Sequence, residues 1–143
     1  MVIKQVSVFV ENKAGTLAEI SRVLADSGLN LRALSLADTR DYGVLRLIVN
    51  DPVKADETLR NAGFTVTLTE VVALSVDDRP GALSEALAVI AEKNIAVEYM
   101  YAFIGKKENN AVVVMKIGDD SRRAASALTD AGYKVLCGSE IYN

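Results

Sequence analysis

The sequence predicts an α+β protein in which one small βαββαβ unit is written twice, and three observations predict it. Apolar residues alternate in some stretches and recur every three or four residues in others, which separates strands from helices. A glycine stands where each of three helical stretches should stop. The pattern then repeats in register. Gly15, Leu17, Glu19 and Ala25 match Gly81, Leu83, Glu85 and Ala91 at an offset of 66 (81 − 15). Leu59, Ala62 and Gly63 match Leu128, Ala131 and Gly132 at an offset of 69 (132 − 63). The three-residue difference is assigned to a longer hairpin loop at residues 106–110, because loops tolerate insertion best.

Taken in order, residues 3–10 place Val6, Val8 and Val10 on one face of a strand. A polar turn follows, and Thr16 with Glu19 reads as a capping box opening a helix that carries Leu17, Ile20 and Leu24. Gly28 stops that helix, and residues 29–38 alternate as a second strand. Asp41, Tyr42 and Gly43 make a hairpin turn into a third strand at residues 44–49. Asp51-Pro52 starts a helix, Asp as cap and Pro at the first helical position, with Ala55, Leu59 and Ala62 as its apolar stripe. Residues 64–68 close the unit as a short fourth strand.

The second copy begins at once, so domains are expected at 1–69 and 70–143 with only Thr69-Glu70 between their strands. Such halves should pack side by side and share one sheet. Strands are expected at residues 71–76, 95–104, 111–117 and 133–137, with helices marked by Leu83, Leu87 and Ile90 and by Ala124 and Leu128. Each half should form a four-stranded antiparallel sheet with two helices on one face. The run Ala111, Val112, Val113, Val114, Met115 is apolar on both faces, where an open sheet face should be polar. That leads to the expectation of a homodimer in which a second copy covers the open face; cover by the chain's own turns is the alternative.

Composition narrows the function. The net charge of −3 gives no broad basic surface for nucleic acid. No apolar run approaches the roughly 20 residues that span a bilayer, and with no signal-like start a cytoplasmic protein is expected. The single Cys137 excludes an internal disulfide and, in an apolar strand, reads as a small buried hydrophobe. There is no histidine, the usual general base near neutral pH and a frequent metal ligand. No nucleophile–base pair or cofactor loop is evident, so neither catalysis nor a bound cofactor is expected. Asp77 and Asp78 are neighbours on a strand end and point to opposite faces, unlike an acid/base pair. The residues Lys106, Lys107 and Glu108 read as a solvated hairpin tip, and Tyr99, Met100, Tyr101 and Phe103 as packing.

The twin turns remain: Asn12-Lys13-Ala14-Gly15-Thr16-Leu17 and Asp78-Arg79-Pro80-Gly81-Ala82-Leu83. Each ends a strand and opens a helix, leaving backbone N–H groups and the positive helix end free for a small anion such as a carboxylate. Gly15 and Gly81 alone could reflect only a turn with positive φ or no room for Cβ. That explains less well why both turns carry an amide or carboxylate, then a cation, a small residue and Gly. Arg79 could hold a carboxylate or be solvated.

A βαββαβ unit with a turn of the type Asn/Asp-Arg/Lys-Pro-Gly-x-Leu resembles the ACT domain, a ferredoxin-like module that mostly binds amino acids. Asp78 to Leu83 match that pattern in full, while the first turn has Ala14 in place of Pro. The first half is also similar to the serine-sensing ACT domain of 3-phosphoglycerate dehydrogenase, through Glu11-Asn12-Lys13-Ala14-Gly15 and Gly28-Leu29-Asn30-Leu31. The resemblance implies that Asn12 and Asn30 clasp an amino acid between a turn and a neighbouring domain's second strand. Asp78 and Ala96 stand at those positions in the second half. Pairing the halves side by side would set Asp78 with Asn30 and Asn12 with Ala96, the first pair being better suited to a zwitterion. The resemblance thus implies a non-catalytic amino-acid sensor acting on a separate enzyme or regulator. The alternative is an ACT-type oligomerisation scaffold without ligand.

Overall fold

The computed structural model describes residues 2–38, 40–106 and 109–142. The hairpin-tip reading of Lys107 and Glu108 lies outside the described residues. The elements run β1 (Ile3–Glu11), α1 (Thr16–Asp26), β2 (Leu31–Asp38), β3 (Tyr42–Val49), α2 (Pro52–Asn61), β4 (Thr65–Asp77), α3 (Ala82–Glu92), β5 (Tyr99–Ile104), β6 (Asn110–Lys116), α4 (Ser121–Asp130), β7 (Lys134–Val135) and α5 (Gly138–Ile141). Contacts divide the chain into a first unit, Lys4–Thr69 with Ile141–Asn143, and a second unit, Glu70–Glu140 with Met1–Ile3. The fourth and fifth strands read from the sequence are one uninterrupted strand, β4. Its alternation of Val66, Leu68, Val72, Leu74 and Val76 meets no Gly or Pro that would break it.

In the first unit the strand order is β2-β3-β1-β4, antiparallel where β1 and β2 meet β3. Val6, Val8 and Val10 of β1 join Leu45, Leu47 and Val49 of β3 in a core closed by Ile20 and Leu24 of α1 and by Ala55 and Leu59 of α2. Asp51 caps α2 as its sequence promised, its carboxylate accepting from the Lys54 N–H at 3.1 Å. On the opposite sheet face the buried Ser7 hydroxyl accepts from the Gln5 amide at 3.0 Å and shares a 3.1 Å hydrogen bond with Thr69. The buried Gln5 and Ser7 side chains are thereby hydrogen-bonded. The C-terminal Tyr142 ties to β1: the Lys4 N–H donates to its hydroxyl at 2.7 Å, which donates to the Lys4 carbonyl at 3.3 Å.

The second unit has the order β5-β6-β4-β7 with the same antiparallel pairing. Its core gathers Val72, Leu74 and Val76 with Val113 and Met115, under Ala86 and Ile90 of α3 and Ala124 and Leu128 of α4.

Several local expectations change. Equivalent pairings are Leu36 with Leu45 and Ala102 with Val113, so the second hairpin is longer by two residues. The third extra residue lies between β6 and α4, since Val49 precedes Pro52 by fewer residues than Ile117 precedes Ser121. Tyr42 and Gly43 belong to β3 and not to the turn. The strand expected from residue 95 begins only at Tyr99, and the closing strand holds just two residues. Cys137 is partly exposed outside any strand; its thiol lies 3.1 Å from the Ser139 hydroxyl. The open-face residues Ile48, Val112 and Val114 are buried within the single chain, so their apolar character does not itself call for a second copy.

Candidate functional site

The two strand-to-helix turns share one backbone. Gly15 has φ 90° and ψ −14°, and Gly81 has φ 90° and ψ −16°. A Cβ at either would meet nothing within 4 Å, so the left-handed conformation and not crowding requires glycine. The Asn12 N–H donates to the Asp41 carbonyl at 2.9 Å, and the Asp78 N–H to that of Asn109 at 2.7 Å. The Glu19 N–H donates to Gly15 O at 2.9 Å and the Glu85 N–H to Gly81 O at 3.0 Å, each the first intrahelical bond. Helix geometry leaves the N–H groups of Leu17 and Ala18, and of Leu83 and Ser84, without intrahelical acceptors. The positive helix end adds to them as an anion attractor.

The capping box expected at Thr16 and Glu19 is absent. Gly15 itself is the N-cap and no side chain caps the helix. Thr16 already sits inside the helix, and its hydroxyl is buried with no hydrogen-bond partner. Ala82 holds the equivalent place in α3.

Charge arrangement separates the turns further. Arg79 is exposed but ion-paired: its guanidinium donates to both Glu85 carboxylate oxygens at 3.3 and 2.8 Å, and lies 3.6 Å from Asp77. That hydrogen bonding, then the charge itself, holds the Glu85 carboxyl below its usual range and raises Arg79 above its own. Lys13, its counterpart, pairs with Glu11 at 3.2 Å. Glu19, counterpart of Glu85, has no ion-pair partner among the described residues.

The other anticipated residues fall as follows. Asn12, Lys13, Ala14, Gly15 and Thr16 gather at the start of α1, while Asn30 and Leu31 lie past its other end, about 16 Å away at 1.5 Å per residue. The Asn30 backbone is held by Asn50, whose side-chain oxygen accepts from its N–H at 2.9 Å. Asp78, Arg79, Pro80, Gly81 and Ala82 gather likewise at the start of α3, with Ala96 beyond its far end. Within a unit the turn residues come together and the strand residues do not join them. Over the start of α1 lies a cleft of about 380 Å³ whose walls include Phe9, Thr16, Glu19, Phe64 and Thr65. Sequence reasoning missed Phe9, Phe64 and Thr65 as site residues. The only available signal was Gly63, which ends α2 and delivers the next two residues to that edge.

Among the described residues no group of three or more His, Cys, Asp or Glu is placed to hold a metal ion. No helix among them is long and apolar enough to cross a membrane.

Two glycine-capped βαββαβ units in tandem define an α+β fold of ferredoxin-like class, and comparison with known proteins names the family. Residues 1–138 match the ACT domain pair model, and the chain belongs to that family. A protein from Bacteroides thetaiotaomicron has a similar crystal structure, at 38% identity and a TM-score of 0.93, with 100% of this chain and 97% of that chain covered. The regulatory subunit of aspartate kinase from Thermus thermophilus, in its ligand-free form, shares the fold at 14% identity and a TM-score of 0.67. That match covers 90% of this chain and 91% of the other. The corresponding subunit from Thermus flavus gives 15% identity and a TM-score of 0.61 over 90% and 92% of the two chains. No curated protein matches the sequence.

Proposed function

We propose that this chain senses a free amino acid and passes the signal to a separate enzyme or regulator in the cytoplasm, catalysing nothing itself. The observation that carries the reading is the doubled turn, in which a left-handed glycine presents the unbonded N–H groups of a helix start twice in one ACT domain pair. The aspartate kinase regulatory subunits that share the fold support it. In this proposal each domain, 1–69 and 70–143, supplies half of a pocket. The turn of one, Asn12 to Thr16 or Asp78 to Ala82, meets the second-strand start of another, Asn30-Leu31 or Ala96, within a chain or between chains. Asp78 would take the ammonium, Asn30 would bond both polar ends, and the helix start would hold the carboxylate.

A binding screen of the free amino acids against the purified chain tests this. An amino acid present at 100 times its dissociation constant should add about 2.7 kcal/mol of stability. Asn30→Ala should weaken binding more than Asn12→Ala by calorimetry; equal losses would sink that ranking.

One observation favours a second reading, an oligomerisation scaffold. The edge strand β2 leaves Leu34 58% and Leu36 45% exposed, and Leu34 shares a groove with Leu17, 44% exposed on α1. Unprotected apolar edges of this kind favour association, here as a homodimer. A dimer by sedimentation with no thermal shift from any amino acid would select the scaffold over the sensor.

A further inference from the structure

We propose that a second copy of this chain pairs with the edge strand β5, the two strands running antiparallel about a two-fold axis at Ala102. The inference goes beyond the sensor reading and holds whether or not an amino acid binds.

In the second unit β5 ends the sheet, with β6 as its neighbour on one side. An edge strand offers N–H and C=O groups to other chains, and proteins blunt that offer with charge, Pro, bulges or cover. The six residues of β5, Tyr99-Met100-Tyr101-Ala102-Phe103-Ile104, include no charge, no Pro and no Gly. Nor is the strand covered on its helix-facing side, where Ile104 is 89% and Met100 43% exposed and Ala102 lies exposed between them. The edge strand of the first unit, β2, carries Arg32 and Asp38 instead.

The ladder decides which backbone groups face outward. The Gly105 N–H donates to Asn110 O at 3.1 Å, in register with the pairs Ile104–Ala111 and Ala102–Val113. Antiparallel bonding alternates along a strand, so Phe103 and Tyr101 bond β6 as Gly105 does. Met100, Ala102 and Ile104 then turn their N–H and C=O groups to the open edge.

Side chains select the register. A two-fold axis at Ala102 sets Met100 against Ile104 of the second copy, and Tyr101 against its Phe103. Glu98 and Lys106, both exposed, lie four residues to either side (102 − 98 = 106 − 102 = 4). Each Glu98 therefore meets Lys106 of the other copy. Moving the axis to Tyr101 sets Ile104 against Glu98, and moving it to Phe103 sets Met100 against Lys106. Opposite charges and apolar or aromatic pairs stabilise when they face each other across two strands. Of these three registers, the one at Ala102 matches charge with charge and apolar with apolar.

The test is sedimentation velocity of the intact chain over a range of concentrations, where a dimer is expected. Ala102→Lys puts like charges at the axis and should raise the dissociation constant at least tenfold. Should that variant unfold, Ala102→Pro decides, since it removes an N–H that faces away from β6. Glu98→Lys should weaken the dimer at least threefold, and Glu98→Lys combined with Lys106→Glu should restore it. A chain monomeric at every concentration would overturn the proposal. So would a dimer that survives Ala102→Lys, and its loss in Leu34→Lys instead would place the contact at β2. A double variant no tighter than Glu98→Lys would overturn the register.

Discussion

Around Gly15 and Gly81 the chain follows one backbone path, with matching φ, ψ and hydrogen bonds, yet the side chains on that path do opposite things. At the second turn Arg79 spends its guanidinium on Glu85 and Asp77, and Ala82 offers nothing polar. At the first, Lys13 turns to Glu11, Glu19 has no ion pair among the described residues, and Thr16 buries an unsatisfied hydroxyl. A duplicated fold keeps its backbone because the sheet and both helices depend on the turn. Its side chains, which the turn's geometry does not constrain, are free to diverge. The side chains therefore distinguish the two turns, where the glycine, which both copies need for folding, does not.

The largest effect should fall on what the halves share. Leu24 of α1 and Ile90 of α3 are equivalent and each is 1% exposed. Leu24→Ala and Ile90→Ala should each cost about 2–5 kcal/mol in urea unfolding. A cost in one half well below that range would show that the two cores are not equivalent.

Much of this equivalence was legible in the sequence, because alternation and helical spacing are direct consequences of which face is buried. The helix of Ile20 and Leu24, the Asp51 cap and the repeat itself all stand as read. What was not legible depended on three dimensions. The capping box failed because Thr and Glu at that spacing look the same whether the preceding Gly or the Thr itself is the cap. The pairing of Arg79 was not legible because its partner Glu85 is six residues on and meets it only once α3 has turned. The residues 64 and 65 reach the cleft edge through the end of α2; Gly63 marks that end, but their proximity to β1 and α1 depends on the packed fold.

Smaller effects sharpen the contrast between the turns. Ala82→Thr copies the first turn into the second and buries an unpaired hydroxyl at a site 4% exposed; it should cost about 1–3 kcal/mol. Thr16→Val, the opposite change, should leave stability level or higher. If both variants proved neutral, the unpaired hydroxyl would no longer distinguish the halves. Gly15→Ala and Gly81→Ala should each cost about 1–2 kcal/mol, from the left-handed backbone alone, since both have open space for the methyl. Unequal losses would mean that the shared backbone is not equally constrained.

The smallest effect is electrostatic and should appear on the acid side of the second unit. Glu85 is held below its usual carboxylate range by Arg79, and Glu140 falls to about 2 through hydrogen bonds from Lys134 and from the Cys137 N–H. A carboxyl whose folded pKa is depressed stabilises the fold in full above its unfolded pKa. That contribution fades as pH falls through the folded value. For Glu140 the window runs from its ordinary 4.5 down to about 2. Both groups are solvent-facing, so screening by salt should shrink the effect. Wild type and Glu140→Gln should thus differ in urea midpoint at neutral pH and low salt, and converge as pH drops through that window. Glu85→Gln should behave the same way. Lys13→Arg, if it pairs with Glu19 as Arg79 does with Glu85, should give the first turn a matching acid-side loss. Absence of that loss would show that the charge reach of Arg79 depends on Asp77 and Pro80 as well as on its own length.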